Sequence, residues 1–174
     1  IGSSLATALF DLDPDINIRI VDNLCGSSLS SISHLHVKPN FEFFLGDVCD
    51  PGLMWTMMAD RQVIINCIKS PTHEQAVYSI IGGSQNILEL LDENQQYIYI
   101  STTDLSVELA DNLTIASTIS AEAMTVAYQR QLGRNTLVLR APSTYKIEDL
   151  ANNVLSSIKN SPNGIIDLSE EVGQ

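Results

Sequence analysis

Apolar positions along this chain fall into two alternating rhythms. Short β-rich runs recur at 17–21, 41–45, 62–67, 97–101, 136–139 and 165–168. Between them, apolar residues return at helical spacing over 3–10, 52–59, 73–91, 112–132 and 147–158. Pro51 sits near the first turn of the second helical segment, where a missing N–H costs nothing. Gly133 follows the fourth, as a C-terminal stop should. Two of the β-rich runs, Val63-Ile64-Ile65 and Tyr97-Ile98-Tyr99-Ile100, are apolar on consecutive residues, so both faces of those strands are covered. The pattern predicts a doubly wound α/β fold, a mostly parallel sheet with helices on each side; a mixed α+β sheet is the alternative. No repeat or linker divides the chain, so 1–174 reads as a single domain.

Composition narrows the class. The chain has 174 residues, 44% of them hydrophobic, enough to bury a sizeable core. Nine Lys+Arg against 21 Asp+Glu leave a formal charge of −12, which disfavours both nucleic acid and anionic membranes as partners. No apolar run approaches the roughly 18–20 residues of a membrane span, and no signal peptide opens the chain. The cysteines Cys25, Cys49 and Cys67 are odd in number and lack CxxC spacing, so a reducing, cytoplasmic setting is expected. Ile1 opens a helix-like segment with no strand ahead of it, so the ends of the chain read as cut.

Candidate chemistry sits at strand ends, where ligands bind in open parallel sheets. Asp22 ends the first β-rich run. A carboxylate there can accept hydrogen bonds from both ribose hydroxyls of a dinucleotide and repels a 2′-phosphate, favouring NAD over NADP. A turn aspartate is the plain alternative. Gly2, about 20 residues earlier, suits the last glycine of a dinucleotide fingerprint, a weak signal alone. Gly46-Asp47-Val48 ends the second run, where a carboxylate and backbone could address an adenine edge or simply make a turn.

Several segments together resemble a known family. Ile1-Gly2-Ser3, Val21-Asp22-Asn23-Leu24, Pro39-Asn40-Phe41-Glu42-Phe43 and Gly46-Asp47-Val48-Cys49-Asp50 follow in order. Gly83-Ser84-Gln85-Asn86-Ile87-Leu88-Glu89, Ile100-Ser101-Thr102-Thr103, Ala121-Glu122, Ala127-Tyr128, Leu139-Arg140-Ala141-Pro142-Ser143-Thr144-Tyr145 and Ile147-Glu148-Asp149-Leu150-Ala151 continue the likeness. The chain resembles the extended short-chain dehydrogenase/reductases, the NAD-dependent epimerase/dehydratase family acting mainly on nucleotide sugars. That resemblance implies a Rossmann-type fold with Gly2 near the pyrophosphate, Asp22 and Asn23 at the adenosine ribose, and Asp47-Val48 at the adenine. Cys67 would line the cofactor, and Thr102 falls on the family's catalytic Ser/Thr.

The resemblance also exposes departures. The family needs a Tyr with a Lys four residues later on one helix face. The Lys lowers the phenol pKa, so that the Tyr acts as general base during hydride transfer. Aligned through Ala121-Glu122, those positions are Thr114 and Thr118. None of Tyr78, Tyr97, Tyr99, Tyr128 and Tyr145 has Lys four residues on. A Thr hydroxyl has no accessible pKa near 7 and cannot replace the phenol without a neighbouring base. The resemblance would place a glycine-rich strand–turn ahead of Ile1, so the residues from Ile1 onward are expected to hold at most part of the pyrophosphate cradle. Tyr145-Lys146 runs directly into Ile147, so the substrate-binding subdomain reads as reduced or absent.

Other residues invite plainer readings. His34 and His36, in a Ser-rich loop, read as solvated rather than as a metal pair, and no metal site is expected. Cys67 fits a small buried hydrophobe as well as a cofactor contact. His73-Glu74 offers acid–base chemistry or a helix start favoured by the macrodipole. Met54, Trp55, Met57 and Met58 read as the packing face of a short helix. Two functions follow: an NAD-binding domain of epimerase/dehydratase type with impaired or absent catalysis, or a non-catalytic scaffold. The scaffold would form a homodimer or hold a partner protein through helices 73–91 and 112–132.

Overall fold

The computed structural model describes residues 1–70, 72–102, 112–160, 162 and 164–168. Within them, helix and strand alternate in the order α1 (Gly2–Leu12), β1 (Ile18–Asp22), β2 (Phe41–Leu45), α2 (Pro51–Met58) and β3 (Val63–Asn66). A π-helical turn (Val77–Gly82) then leads into α3 (Gly83–Leu90), followed by β4 (Gln96–Ser101), α4 (Leu113–Leu132), β5 (Thr136–Arg140), α5 (Ile147–Asn160) and β6 (Gly164–Asp167). All pairings among these strands are parallel.

The consecutive apolar residues of β4 explain the layering. Tyr97 and Tyr99 point to one face, where Met54, Met58, Ile80, Ile87, Leu88 and Ala121 cover them. Ile98 and Ile100 point to the other, against Leu5 and Leu9 of α1 and Leu150, Ala151 and Val154 of α5. A strand sandwiched this way has no polar face, which is why its sequence does not alternate. The expected doubly wound Rossmann-type fold is therefore the one observed.

The strands form two ladders rather than one. β1 pairs with β2, Ile18 against Phe41 through Asp22 against Leu45. β3, β4, β5 and β6 pair in sequence order. Shared helix layers hold the ladders together: Val21 of β1 packs against the cluster containing Ile64, and Ile18 against the cluster containing Leu5 and Leu9 of α1. Among the described residues no ladder joins β1 to β3.

Local chemistry sets the helix ends. Asp50 Oδ1 accepts from the N–H groups of Gly52 and Leu53, with Pro51 in the first turn of α2. Asn112 Oδ1 accepts from Ile115 N–H to cap α4, and Gly133, at φ 65°, closes it. Two expectations change. The helix expected from 73 begins at Ala76, because His73 to Gln75 form a turn, and its first stretch is π-helical. In α2, Met54 and Met58 share the buried face one turn apart, whereas Trp55, a quarter-turn round, is 66% exposed. Among the described residues no helix is long and apolar enough to cross a membrane.

Candidate functional site

The loops after β2 and β3 meet at the start of α3, where a Cβ on Gly83 would touch both Val48 and Ile68, so the carboxyl ends of these strands share an edge of the kind that binds ligands in open parallel sheets. Asp22 is the last residue of β1, and Asp47 stands two past the end of β2. Cys67 and Thr102 each stand one past β3 and β4. Gly2, the first residue of α1, reaches the same edge: a Cβ built on it would lie 3.5 Å from Cys67 Cβ.

Asp22 Oδ1 accepts from Leu24 N–H at 2.7 Å, and Asn23 Oδ1 accepts from Cys25 N–H at 3.1 Å. Two successive side-chain turns thus fold the loop after β1 and force Leu24 to φ 60°, a left-handed conformation that costs a leucine about 1–2 kcal/mol. Asn23 Oδ1 is thus engaged within the loop. Asp22 keeps a second carboxylate oxygen, Oδ2, to which no described residue donates. Asp47 behaves alike, Oδ1 accepting from Cys49 N–H at 2.9 Å. Val48 fixes its loop from beneath, because Asn86 Nδ2 donates to its carbonyl at 2.6 Å. A Cβ on Gly83 would sit 2.8 Å from Val48 Cγ1, so that residue must be small for α3 to come this close.

The first turn of α1 carries no acidic residue, and no side chain caps it, so its N–H groups point outward at the end of β3. Cys67 lies beside them. Burial raises its thiol to about 11, so it is a neutral, weakly polar wall rather than a nucleophile. Two paired oxygen acceptors on loops, a helix start and an uncharged wall are a donor and acceptor set that fits the ribose, adenine and diphosphate portions of a dinucleotide.

A second cluster lies on α4 beside the loop after β3. His73 Nδ1 is 2.7 Å from Thr114 Oγ1. One turn on, Thr118 Oγ1 donates to the Thr114 carbonyl at 2.9 Å and also bonds the Tyr99 hydroxyl. Ser101 Oγ and Ser117 Oγ are buried without a hydrogen-bond partner. Sequence reading placed Thr114 and Thr118 here but missed their partners, because His73 lies 41 residues from Thr114. It also missed Asn66, whose buried amide donates to Ser84 Oγ at 3.0 Å and to the Tyr97 hydroxyl at 2.7 Å. Burial holds that phenol up at about 12.

The remaining histidines have structural duties. His34 Nε2 bonds Thr7 Oγ1 at 2.9 Å, tying the serine-rich loop to α1, and His36 packs edge-on against Phe41.

No family model matches the chain. It is 26% identical to the dTDP-glucose 4,6-dehydratase of Actinoplanes sp. (strain ATCC 31044 / CBS 674.73 / SE50/110), over 83% of this chain and 54% of that protein. The chain thus spans about half the length of this curated relative. Among solved structures, UDP-glucuronic acid 4-epimerase from Bacillus cereus, in complex with NAD, superposes with a TM-score of 0.82 at 16% identity. That match covers 95% of this chain and 72% of the epimerase. A double mutant of DesIV, a dTDP-glucose 4,6-dehydratase from Streptomyces venezuelae with NAD bound, gives 0.69 at 16% identity, over 90% of this chain and 59% of that one. The Bordetella bronchiseptica enzyme WbmF, in complex with NAD⁺, gives 0.76 at 15% identity, covering 96% and 69%. The chain has the Rossmann-type α/β fold of these structures and is similar in sequence to a dTDP-glucose 4,6-dehydratase over about half of that protein's length.

Proposed function

We propose that this chain is an NAD-binding Rossmann-type domain allied to the nucleotide-sugar epimerases and dehydratases, with NAD preferred to NADP. The observation that carries the reading is the placement of Asp22, Asp47 and Cys67 at or just past the carboxyl ends of parallel strands, with Gly2 at the start of α1 beside Cys67. Asp22 Oδ2 accepts from the adenosine ribose hydroxyls, and its charge repels a 2′-phosphate. The outward N–H groups of α1 face the diphosphate, and the Asp47-Val48 loop borders the adenine. NAD, when bound, supplies a hydride acceptor. Thr102, Thr114 and Thr118 stand where the family holds its catalytic Ser/Thr, Tyr and Lys, so the phenol base is replaced by hydroxyls and turnover by the family's route is impaired.

Calorimetric titration with NAD and NADP tests this reading. Micromolar NAD affinity, weaker NADP affinity and a loss of about 1–3 kcal/mol in Asp22→Ala are expected, the worth of hydrogen bonds to a charged acceptor. An Asp22→Ala variant that binds NAD as tightly as the parent removes the assigned role.

A second reading, a non-catalytic scaffold, has its own support in α4. Between Leu113 and Gln129 its single charged residue is Glu122, and that one is buried. Much of the rest of the helix is half-exposed, and Leu113, Val77 and Tyr78 are exposed nearby. An uncharged, partly open helix pair of this kind suits a homodimer or a partner protein.

A further inference from the structure

We propose that Thr114 and His73 form a proton-relay pair, Thr114 meeting a substrate hydroxyl and His73 taking the proton onward. The proposal rests on the NAD-binding reading, because the oxidation it serves needs a hydride acceptor.

A threonine hydroxyl alone neither gains nor loses a proton near neutral pH, so it needs a base behind it. The structure supplies one: Nδ1 of His73 lies 2.7 Å from Thr114 Oγ1. With the ring proton on Nε2, Nδ1 accepts the Thr114 hydroxyl proton. His73 occupies an exposed turn, which gives the relay an outlet to water. Thr118 cannot serve in its place. Its own proton is donated to the Thr114 carbonyl. Ser101 Oγ, at the end of β4, and Ser117 Oγ, between the two threonines, are buried and unpartnered. Orphaned hydroxyls are rare in folded cores.

In the step, the C–H bond of a secondary alcohol on a nucleotide sugar breaks, and its electron pair passes with the hydrogen to NAD⁺. The alcohol O–H proton passes to Thr114 Oγ while the Thr114 proton passes to His73 Nδ1. The alcohol carbon is oxidised to a carbonyl, NAD⁺ is reduced, and the imidazolium releases its Nε2 proton to water.

The test uses the full chain with NAD and either dTDP-glucose or UDP-glucuronic acid, reading NADH absorbance in a single turnover. His73→Ala and His73→Asn are expected to slow NADH formation about 100-fold, the scale of a lost general base. NAD and sugar-nucleotide affinities, measured by calorimetry, stay unchanged. Asparagine can still bond Thr114 but cannot carry a proton, so a merely structural His73 would leave His73→Asn active. Added imidazole restores His73→Ala but not Thr114→Val. Parental rates in either His73 variant overturn the relay, as does a parent chain that binds both ligands yet forms no NADH. A chain that fails to bind NAD overturns the underlying reading first, and the relay with it.

Discussion

Arg140, the last residue of β5, grips Glu122 of α4 from two directions. Its Nε lies 3.0 and 3.1 Å from the two carboxylate oxygens, and Nη2 reaches one of them as well. The Glu122 side chain is only 5% exposed, so its charge depends on this partner. Removing one member of a buried pair costs about 3–5 kcal/mol, because the other charge is left in a poor solvent. Arg140→Leu is expected to lose about 3 kcal/mol in urea unfolding, and Arg140→Leu with Glu122→Leu to recover most of it. A loss below about 1 kcal/mol in the single variant would show that water reaches Glu122. Cys67 sets an alkaline limit by a different route. An unfolded thiol ionises near pH 8.5, whereas burial holds Cys67 protonated to about 11. Between those values the native chain binds the extra proton, so its stability is complete below about pH 8.5 and falls as pH rises toward 11. The loss from this group reaches about 3 kcal/mol by pH 11. Cys67→Ala should flatten the decline, and parallel urea midpoints at pH 8 and 10.5 would deny it. At this scale the strand-end residues were legible, because Asp22, Asp47 and Cys67 follow recognisable β-rich runs. His73 with Thr114 was not, since their meeting depends on how the loop after β3 crosses α4.

Helices and strands were largely legible for one reason: a strand covered on both faces has no polar positions, and the amphipathic segments between such strands can only be helices. The π-helical turn at Val77–Gly82 left no comparable trace, nor did the rotation that turns Trp55 outward. Pairing between strands is hidden further, because it joins distant residues through backbone groups common to every sequence. β1 and β3 illustrate this. Both are rich in Ile and Val, yet β1 is half-buried along its whole length, while all six residues of β4 are buried. Each has a ladder on one side and, among the described residues, none on the other. Amides on such edges lack the protection of a central strand. Hydrogen exchange should therefore show β1 and β3 opening at least about tenfold faster than β4 and β5, a free-energy gap of about 1.4 kcal/mol or more. Equal protection across all four strands would overturn the reading of β1 and β3 as sheet edges.

The whole molecule presents a contradiction between its charge and its helix layer. A net charge of −12 makes the surface strongly acidic, and self-repulsion alone would keep such chains apart. Yet the exposed side of α4 is nearly free of charge, and Val77 and Tyr78 extend the apolar area onto the neighbouring π-helical turn. Evolution toward a monomer would place Lys or Glu there, as on any solvated helix. The acidic balance is therefore carried elsewhere, and this face suits association between two copies. A stable dimer needs about 800 Å² from each partner, roughly what two adjacent helices can offer. The chain is expected to sediment at about 38 kDa, twice its 19.0 kDa mass. Ala123 lies exposed on α4, where a like charge from each copy would meet across the interface. Ala123→Arg should yield a folded monomer with an unchanged helical signal, and added salt should restore little of the dimer because the arginines obstruct as well as repel. A parent chain that remains monomeric at high micromolar concentration would assign the face to a different protein. If Ala123→Arg leaves a dimer intact, the copies meet on another surface.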